Sequence, residues 1–462
     1  MSYDPEIAEI RFGCGLSPSV APPAGRQAML DGLTGPDEMA AAFPIETFPE
    51  FRARMVEASE NFREIRKRRG TPEVQPFRKR RNLINKAARE AMVGWQAQTF
   101  LRWTRTAQPM HERLAFFWAD HFTAVGKNGV LRRGTSPYVE AAIRPNMTGS
   151  FADLLIAATI SPLMLHYLDQ GISIGPESPR ARKGGRRGLN ENLAREVLEL
   201  HTLGVDGPYG QEDVRQLAEL FTGLTYNPRN GFTFRKDFAE PGPETVLGVT
   251  YGGDPARLEP VLEALRALAL HPATARHIAA KLAVHFVADA PDPALVDHLA
   301  GRFADTGGQL MAVYEALLEH PAAWAEPLGN AKPPADFIAS ACRALDVPPD
   351  TLQSLEERAA RRMFFWPLGQ MGQPWQSPSG PDGWPEEDAD WITPQGVAAR
   401  MRWAMQMPQR LCAPRGLPHP ESFVQAALGS RAPGPVRFAA SAAESRSEAI
   451  GLVLASPAFQ RR

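Results

Sequence analysis

Apolar residues recur along most of this chain at intervals of three and four, the spacing that lines one face of a helix. From Pro255 to Phe365 the pattern is nearly unbroken: Leu258, Val261, Leu262, Leu265 and Leu268 form one stripe, and Ile278, Leu282, His285 and Phe286 another. Pro109–Phe122 puts Leu114, Phe117, Trp118 and His121 on one face, and Phe151–Gln170 reads as an apolar helix interrupted once at Ser161-Pro162. Ser161-Pro162, His271-Pro272, His320-Pro321 and Ser456-Pro457 each separate one such stretch from the next, as an N-cap followed by proline at the first helical position does. On that reading His271 and His320 are turn residues rather than metal ligands, and the unequal intervals exclude a solenoid. Alternation takes over only between Thr225 and Tyr251, at Phe232, Phe234, Val246, Leu247 and Val249, and predicts one small β-hairpin near residues 230–250. The fold class is all-α, with many short-to-medium helices and that single hairpin.

The ends of the chain differ in texture. Residues 1–49 are broken by Pro and Gly and predict short helices; Arg52–Arg105 predicts a helical hairpin turning near Gly70-Thr71-Pro72. Trp366–Pro394 reads as a long irregular loop carrying Trp366, Trp375, Trp384 and Trp391, a segment suited to lining a pocket or covering the helical core. Helices over Pro394–Met407, Pro420–Leu428 and Ser441–Arg461 complete the chain. We read residues 1–462 as one large helical domain, divisible into a basic N-terminal part (1–108), a core (109–365) and the Trp-rich loop with the C-terminal helices (366–462).

Composition narrows the function classes. A net charge of −1 gives no global attraction to nucleic acid or membrane, yet Arg52–Arg105 holds fifteen Lys/Arg against five Glu, a local +10 that leaves −11 for the rest. Those cations come in runs (Arg66–Arg69, Arg78–Arg81) without interleaved stacking aromatics, which argues against nucleic acid and for a solvated helical face or a surface for an acidic partner. Cys14, Cys342 and Cys412 are too scattered for a disulfide framework or a cysteine zinc site and read as buried free thiols. No apolar stretch reaches spanning length, so no membrane insertion is expected. The N-terminal MSYDPEIAEIRFGCGLSP lacks a basic start and apolar run, which predicts a cytoplasmic chain unless a folded partner carries it to the periplasm.

The densest polar chemistry lies in NENLAREVLELHTLGVDGPYGQEDVRQLAELFTGLTY, Asn190 to Tyr226. At about 100° per residue, Leu193, Ala194, Val197, Leu200 and His201 share one arc, while Glu191, Asn192, Arg195, Glu196 and Glu199 share the other. The polar arc is spaced for i,i+4 pairing. Gly204 ends the helix as a left-handed cap, and Val205–Gly210 leads to a second helix bearing Val214, Leu217, Ala218 and Phe221. Ahead of the motif, a Gly-rich loop with Arg180, Arg182, Lys183, Arg186 and Arg187 reads as an exposed insert or as a cover for an anion at the helix start.

This stretch resembles domain-of-unknown-function family 1800, a large bacterial family. The matching residues are Asn190-Glu191-Asn192, Ala194-Arg195-Glu196, Glu199-Leu200-His201-Thr202-Leu203-Gly204, Asp213-Val214 and Thr222-Gly223. Further matches are Arg11-Phe12-Gly13, Phe117-Trp118 with His121-Phe122, Ser161-Pro162, Tyr167-Leu168-Asp169, Val246-Leu247-Gly248, His271-Pro272, Lys281-Leu282 and Gly383-Trp384. Where the family has His-Asp or His-Glu before Pro-Gly, this chain has Phe238-Ala239-Glu240. The resemblance implies a mostly helical, often exported protein, with no activity attached. It also implies a gene neighbour from family 1501, whose members resemble the alkaline-phosphatase superfamily.

Two functions follow. In the first, the protein is an accessory or scaffold acting in complex with a family-1501-like partner. In the second, it is an enzyme with a His/carboxylate site between the Trp118–His121 and Asn190–His201 helices. The candidate catalytic residues are His121, Arg195, Glu196, Glu199 and His201, with Asn190, Glu191, Asn192, Trp118 and Asp169 as binding residues. A divalent metal is the cofactor such a cluster would take. Glu199 and His201, two residues apart, point about 200° from each other on a helix and cannot chelate one ion there. The bland alternative is a buried polar network that ties the motif helix to its neighbours.

Overall fold

The computed structural model describes residues 3–184, 188–413 and 415–462. The chain is predominantly helical, and two small β-hairpins replace the single one expected. In the first, β1 (Leu224–Asn227) pairs antiparallel with β2 (Gly231–Phe234); in the second, β3 (Gly242–Val246) pairs with β4 (Val249–Gly253). The second hairpin turns at Leu247-Gly248, both at positive φ (50° and 77°), the geometry of the tight turn that matches strand twist. Asp213 fastens it: Oδ2 accepts the Gly210 N–H at 2.9 Å, and Oδ1 accepts the Leu247 N–H at 2.7 Å.

The helical punctuation follows the sequence closely. His271 Nδ1 accepts the Ala273 N–H and His320 Nδ1 the Ala322 N–H, so both histidines cap helices. The basic hairpin consists of Phe48–Lys67 and Gln75–Arg105. At the C-terminal end the expected Ser441–Arg461 helix is instead three, Gly434–Ala442, Arg446–Ala455 and Pro457–Gln460, because Ser445 and Ser456 each cap a new start. The Trp-rich segment is partly helical, with Trp366–Gln370 and Asp388–Trp391 leaving 371–387 irregular.

Two apolar clusters share the 31-residue Gln75–Arg105 helix. Ile84, Ala88 and Trp95 belong to the larger cluster, built mainly from residues up to Trp324. Ala97, Phe100, Leu101 and Trp103 belong to the second, which takes in Pro334–Ala344 and the C-terminal helices. Buried guanidinium groups sew the two together. Arg343 pairs with Glu9 at 3.0 Å and donates to the carbonyls of Gly15, Trp103, Thr104 and Thr106. Arg113 pairs with Asp336 at 2.9 Å. Cys14, Cys342 and Cys412 are buried free thiols. Among the described residues no helix is long and apolar enough to cross a membrane.

Candidate active site around Asp120

The motif helix departs from the expected regular α-helix. Asn192–Glu196 is α-helical, but Val197–Thr202 widens into a π-turn, in which the Leu203 N–H reaches Leu198 O and Thr202 Oγ1 donates to Val197 O. Wide turns of this kind concentrate at functional sites. The extra residue rotates the inward face, so Leu198 is buried where Leu200 was expected, and Leu200 offers its carbonyl to His277 Nε2 at 3.0 Å.

The polar arc faces outward. Arg195 lies 3.5 Å from both Glu191 and Glu199 and donates to Gln211, which in turn donates to Glu191. This is a surface clasp between the two helices of the motif. Asn190 accepts the Asn192 N–H and donates to Leu168 O, tying the helix start to the Tyr167-Leu168-Asp169 segment. Asp169 pairs with Lys127 at 2.6 Å. Arg186 and Arg187 of the preceding basic loop lie outside the described residues.

His121 and His201 are brought together. Their rings lie 6.1 Å apart, His277 stands 6.2 Å from His121, and all three crowd one side of the Pro109–His121 helix. Gly204, at φ 90°, makes this possible: a Cβ there would meet the His277 ring at 3.1 Å. His121 Nε2 faces His201 O at 3.3 Å, while neither ring nitrogen of His201 has a hydrogen-bond partner among the described residues. Burial, reinforced by nearby Lys281, holds His121 well below its ordinary value and holds His201 and His277 down to about 3 and about 4, so all three are neutral at pH 7. Trp118 is fully buried, and its indole N–H donates to Tyr314 Oη, which donates to Met147 O. Glu196 is half-buried and raised to about 7 by burial, then by the Glu199 and Asp382 carboxylates.

The strongest chemistry is at Asp120, one residue before His121. Its two carboxyl oxygens accept the Trp384 backbone N–H at 3.0 and 3.2 Å. Gly383, at φ 83°, permits that approach, since a Cβ would lie 2.8 Å from the Asp120 carboxyl carbon. Burial, then the Glu386 carboxylate, push the Asp120 carboxyl up to about 8, against the pull of Lys281 and the Trp384 N–H. Asp120 borders a cavity of about 110 Å³ walled by Trp103, Phe116, Trp375 and Trp384. The cavity's other charges are matched within the protein: Arg102 forms a two-pronged pair with Glu140, and Arg144 holds both Glu112 and Asp37. The 371–387 segment covers this cavity and is pinned at intervals. Gln373 accepts the Ala335 N–H, Gln376 exchanges hydrogen bonds with Ser136 while itself in a left-handed conformation, and Glu386 accepts from His285 at 2.7 Å. Although burial acts to raise it, Glu386 is held down to about 2 by His285 and Arg462.

Among the described residues, only Asp37, His111 and Glu112 form a trio of metal-ligating types within 4.8 Å. The Arg144 guanidinium already occupies both of those carboxylates. Asp120, His277 and Glu386 carry no signal in the sequence patterns above, and Lys281 enters only through the Lys281-Leu282 match. A usable signal is present for two of them: His277 and Lys281 recur with His285 every four residues along Pro272–Phe286 and so share one stripe.

The architecture is that of a predominantly helical protein with an aromatic, acid-bearing cavity that one of its family matches, Gly383-Trp384, borders through Trp384. The chain belongs to the family described as "Protein of unknown function (DUF1800)", whose model matches residues 10–461. No curated protein and no solved structure matches it.

Proposed function

We propose that this DUF1800 chain is an enzyme in which Asp120 acts as a general acid on a small uncharged substrate bound among Trp103, Trp375 and Trp384. The observation that carries the reading is the Asp120 carboxyl, raised to about 8 at the edge of an aromatic cavity whose other charges are matched internally. A group with its pKa near neutrality keeps its proton at pH 7 and still releases it readily, which is the requirement for proton donation to a carbonyl or ether oxygen. A strongly perturbed carboxyl in a cleft is a functional-site candidate. The site lies on the opposite face of the Trp118–His121 helix from the one first expected. In this reading His121 and His201 stand behind the acid as neutral imidazoles that keep its surroundings weakly polar. Arg195, Glu196 and Glu199 hold the motif helix in place.

Cyclohexanone, a neutral acceptor without a donor of its own, is the probe for the test. Tryptophan fluorescence is expected to change saturably, with binding that weakens above pH 8 in wild type but not in Asp120→Asn, and that disappears in the cavity-filling Ser136→Phe. No saturable change, or the same pH profile in Asp120→Asn, would overturn the assignment.

A second reading is favoured by one surface. The Arg52–Arg105 stretch of the basic hairpin carries the local +10 and exposes Phe62 (63 %) and Leu83 (58 %), a combination suited to an acidic partner with an apolar patch. An accessory role beside a family-1501-like, phosphatase-superfamily-like partner fits that surface. Co-expression with the neighbouring gene's product should give a complex that Phe62→Ser with Arg80→Glu disrupts; co-elution unaffected by that pair of changes would sink this reading.

A further inference from the structure

A second cleft, of about 490 Å³, separates the basic helix pair from β1. That volume is in the range of small-molecule sites. Met55, Phe62, Ile84 and Ile172 give part of it an apolar lining beside the polar Asn61, Asn85 and Asn128, and Tyr226 and Arg81 border the same space.

The hydrogen bonding of Tyr226 leaves one proton to place. His166 Nε2 accepts the Lys127 backbone N–H at 3.2 Å. Burial lowers the pKa of this ring, so its single proton sits on Nδ1 at pH 7. Nδ1 therefore donates to Tyr226 Oη, 2.9 Å away. The Tyr226 O–H is not spent on His166, and among the described residues no other acceptor takes it. It is a fixed donor on a cleft wall. Charge supplies the second observation. Lys127, beside the cleft, is neutralised by Asp169 at 2.6 Å, whereas Arg81 makes no ion pair among the described residues. The uncompensated charge bordering the cleft is thus a guanidinium, set in the most basic part of the chain.

We propose that this cleft binds an aliphatic carboxylate of fatty-acid type, its chain along Met55, Phe62, Ile84 and Ile172 and its carboxylate accepting the Tyr226 O–H in the field of Arg81. A carboxylate accepts without donating, so it suits both groups at once, and the apolar side chains of the cleft favour a hydrocarbon body.

Calorimetric titration of the full chain with decanoate, below its micellar concentration, tests this. Saturable one-to-one binding is expected in wild type. Tyr226→Phe, which removes only the proton, and Arg81→Gln, at an exposed position, should each weaken it by about fivefold to tenfold. Ser59→Trp, which fills the cleft, should abolish it, and decanol should bind more weakly than decanoate. Asp120→Asn should leave it unchanged, which separates this site from the aromatic cavity. Absent binding, decanol binding as tightly as decanoate, or wild-type affinity in both Tyr226→Phe and Arg81→Gln would overturn the proposal.

Discussion

The Trp384 backbone N–H stands 3.0 and 3.2 Å from the two oxygens of Asp120, so one donor on the covering segment is shared across a partly buried carboxyl. The contact links two properties. Hydrogen bonding favours the ionised acid, burial favours the protonated one, and burial prevails. The order of the 371–387 segment and the protonation of Asp120 are therefore coupled.

Gly383 is the residue on which that contact depends. Alanine there would need a left-handed backbone and would press its Cβ to 2.8 Å from Asp120. Gly383→Ala should cost about 2–4 kcal/mol in urea unfolding. Gly301→Ala, within the Pro293–Asp305 helix and with no atom within 4 Å of the new methyl, should be neutral or stabilising by about 0.5–1 kcal/mol. Equal effects at the two glycines would refute the close approach.

The pH dependence of stability should carry two opposite signatures. Asp120, held up at about 8, binds its proton more tightly folded than unfolded. The stability this contributes is complete below about pH 4 and is lost as pH rises through about 8. Asp120→Asn should therefore gain on wild type between about pH 5 and pH 9, by more than about 1 kcal/mol. His201 and His277 are held down, to about 3 and about 4. An unfolded histidine takes up a proton near pH 6.5 and these do not, so their contribution is present above that pH and is lost as pH falls toward 4. His201→Phe should flatten the acid limb. Denaturant titrations across that range read both slopes.

Local features of the fold were legible, and the acid was not. His271 and His320 as caps, Gly204 as a left-handed terminus and the Pro420–Leu428 helix all follow from neighbours within a few residues. The π-turn at Val197–Thr202 leaves no mark on a 3.6-residue periodicity, and Gly242-Pro243 hides the alternation of β3 and with it the second hairpin. Asp120 was invisible for a different reason. The backbone donor that meets it is 264 residues away, and Glu386 and Lys281 are also remote, so nothing nearby marks its burial or charge. The Gly383-Trp384 match located the other half of the contact without showing what it touches.

Asp213 serves two elements with one carboxylate, capping the Gln211–Leu220 helix through Gly210 and holding the β3–β4 turn through Leu247. Asp213→Ala should cost about 1–2 kcal/mol. It should also speed amide exchange in Gly242–Gly253 well beyond the change in the rest of the chain. Asp213→Asn, whose single carbonyl oxygen can serve only one of the two N–H groups, should fall between. Uniform exchange across the molecule in Asp213→Ala would show that the turn does not rely on this side chain.

Arg343 presents the clearest test of how the two apolar clusters are joined. It is fully buried, bonded to Glu9 and to four carbonyls contributed by two separate stretches of chain. Glu9 is itself pushed up to about 7 by burial, with Arg343 pulling it down. Removing the guanidinium therefore strands a carboxylate as well as the carbonyls, and Arg343→Met should cost about 3–5 kcal/mol. Much of that loss belongs to the abandoned Glu9, which should respond by taking up a proton. Glu9→Gln in the Arg343→Met background should then be nearly free, although Glu9→Gln alone is costly because it removes the charge that Arg343 needs. The double-mutant cycle should show a coupling of about 0.5–3 kcal/mol. Additive effects in that cycle would mean that the carbonyls, not Glu9, hold Arg343 in place.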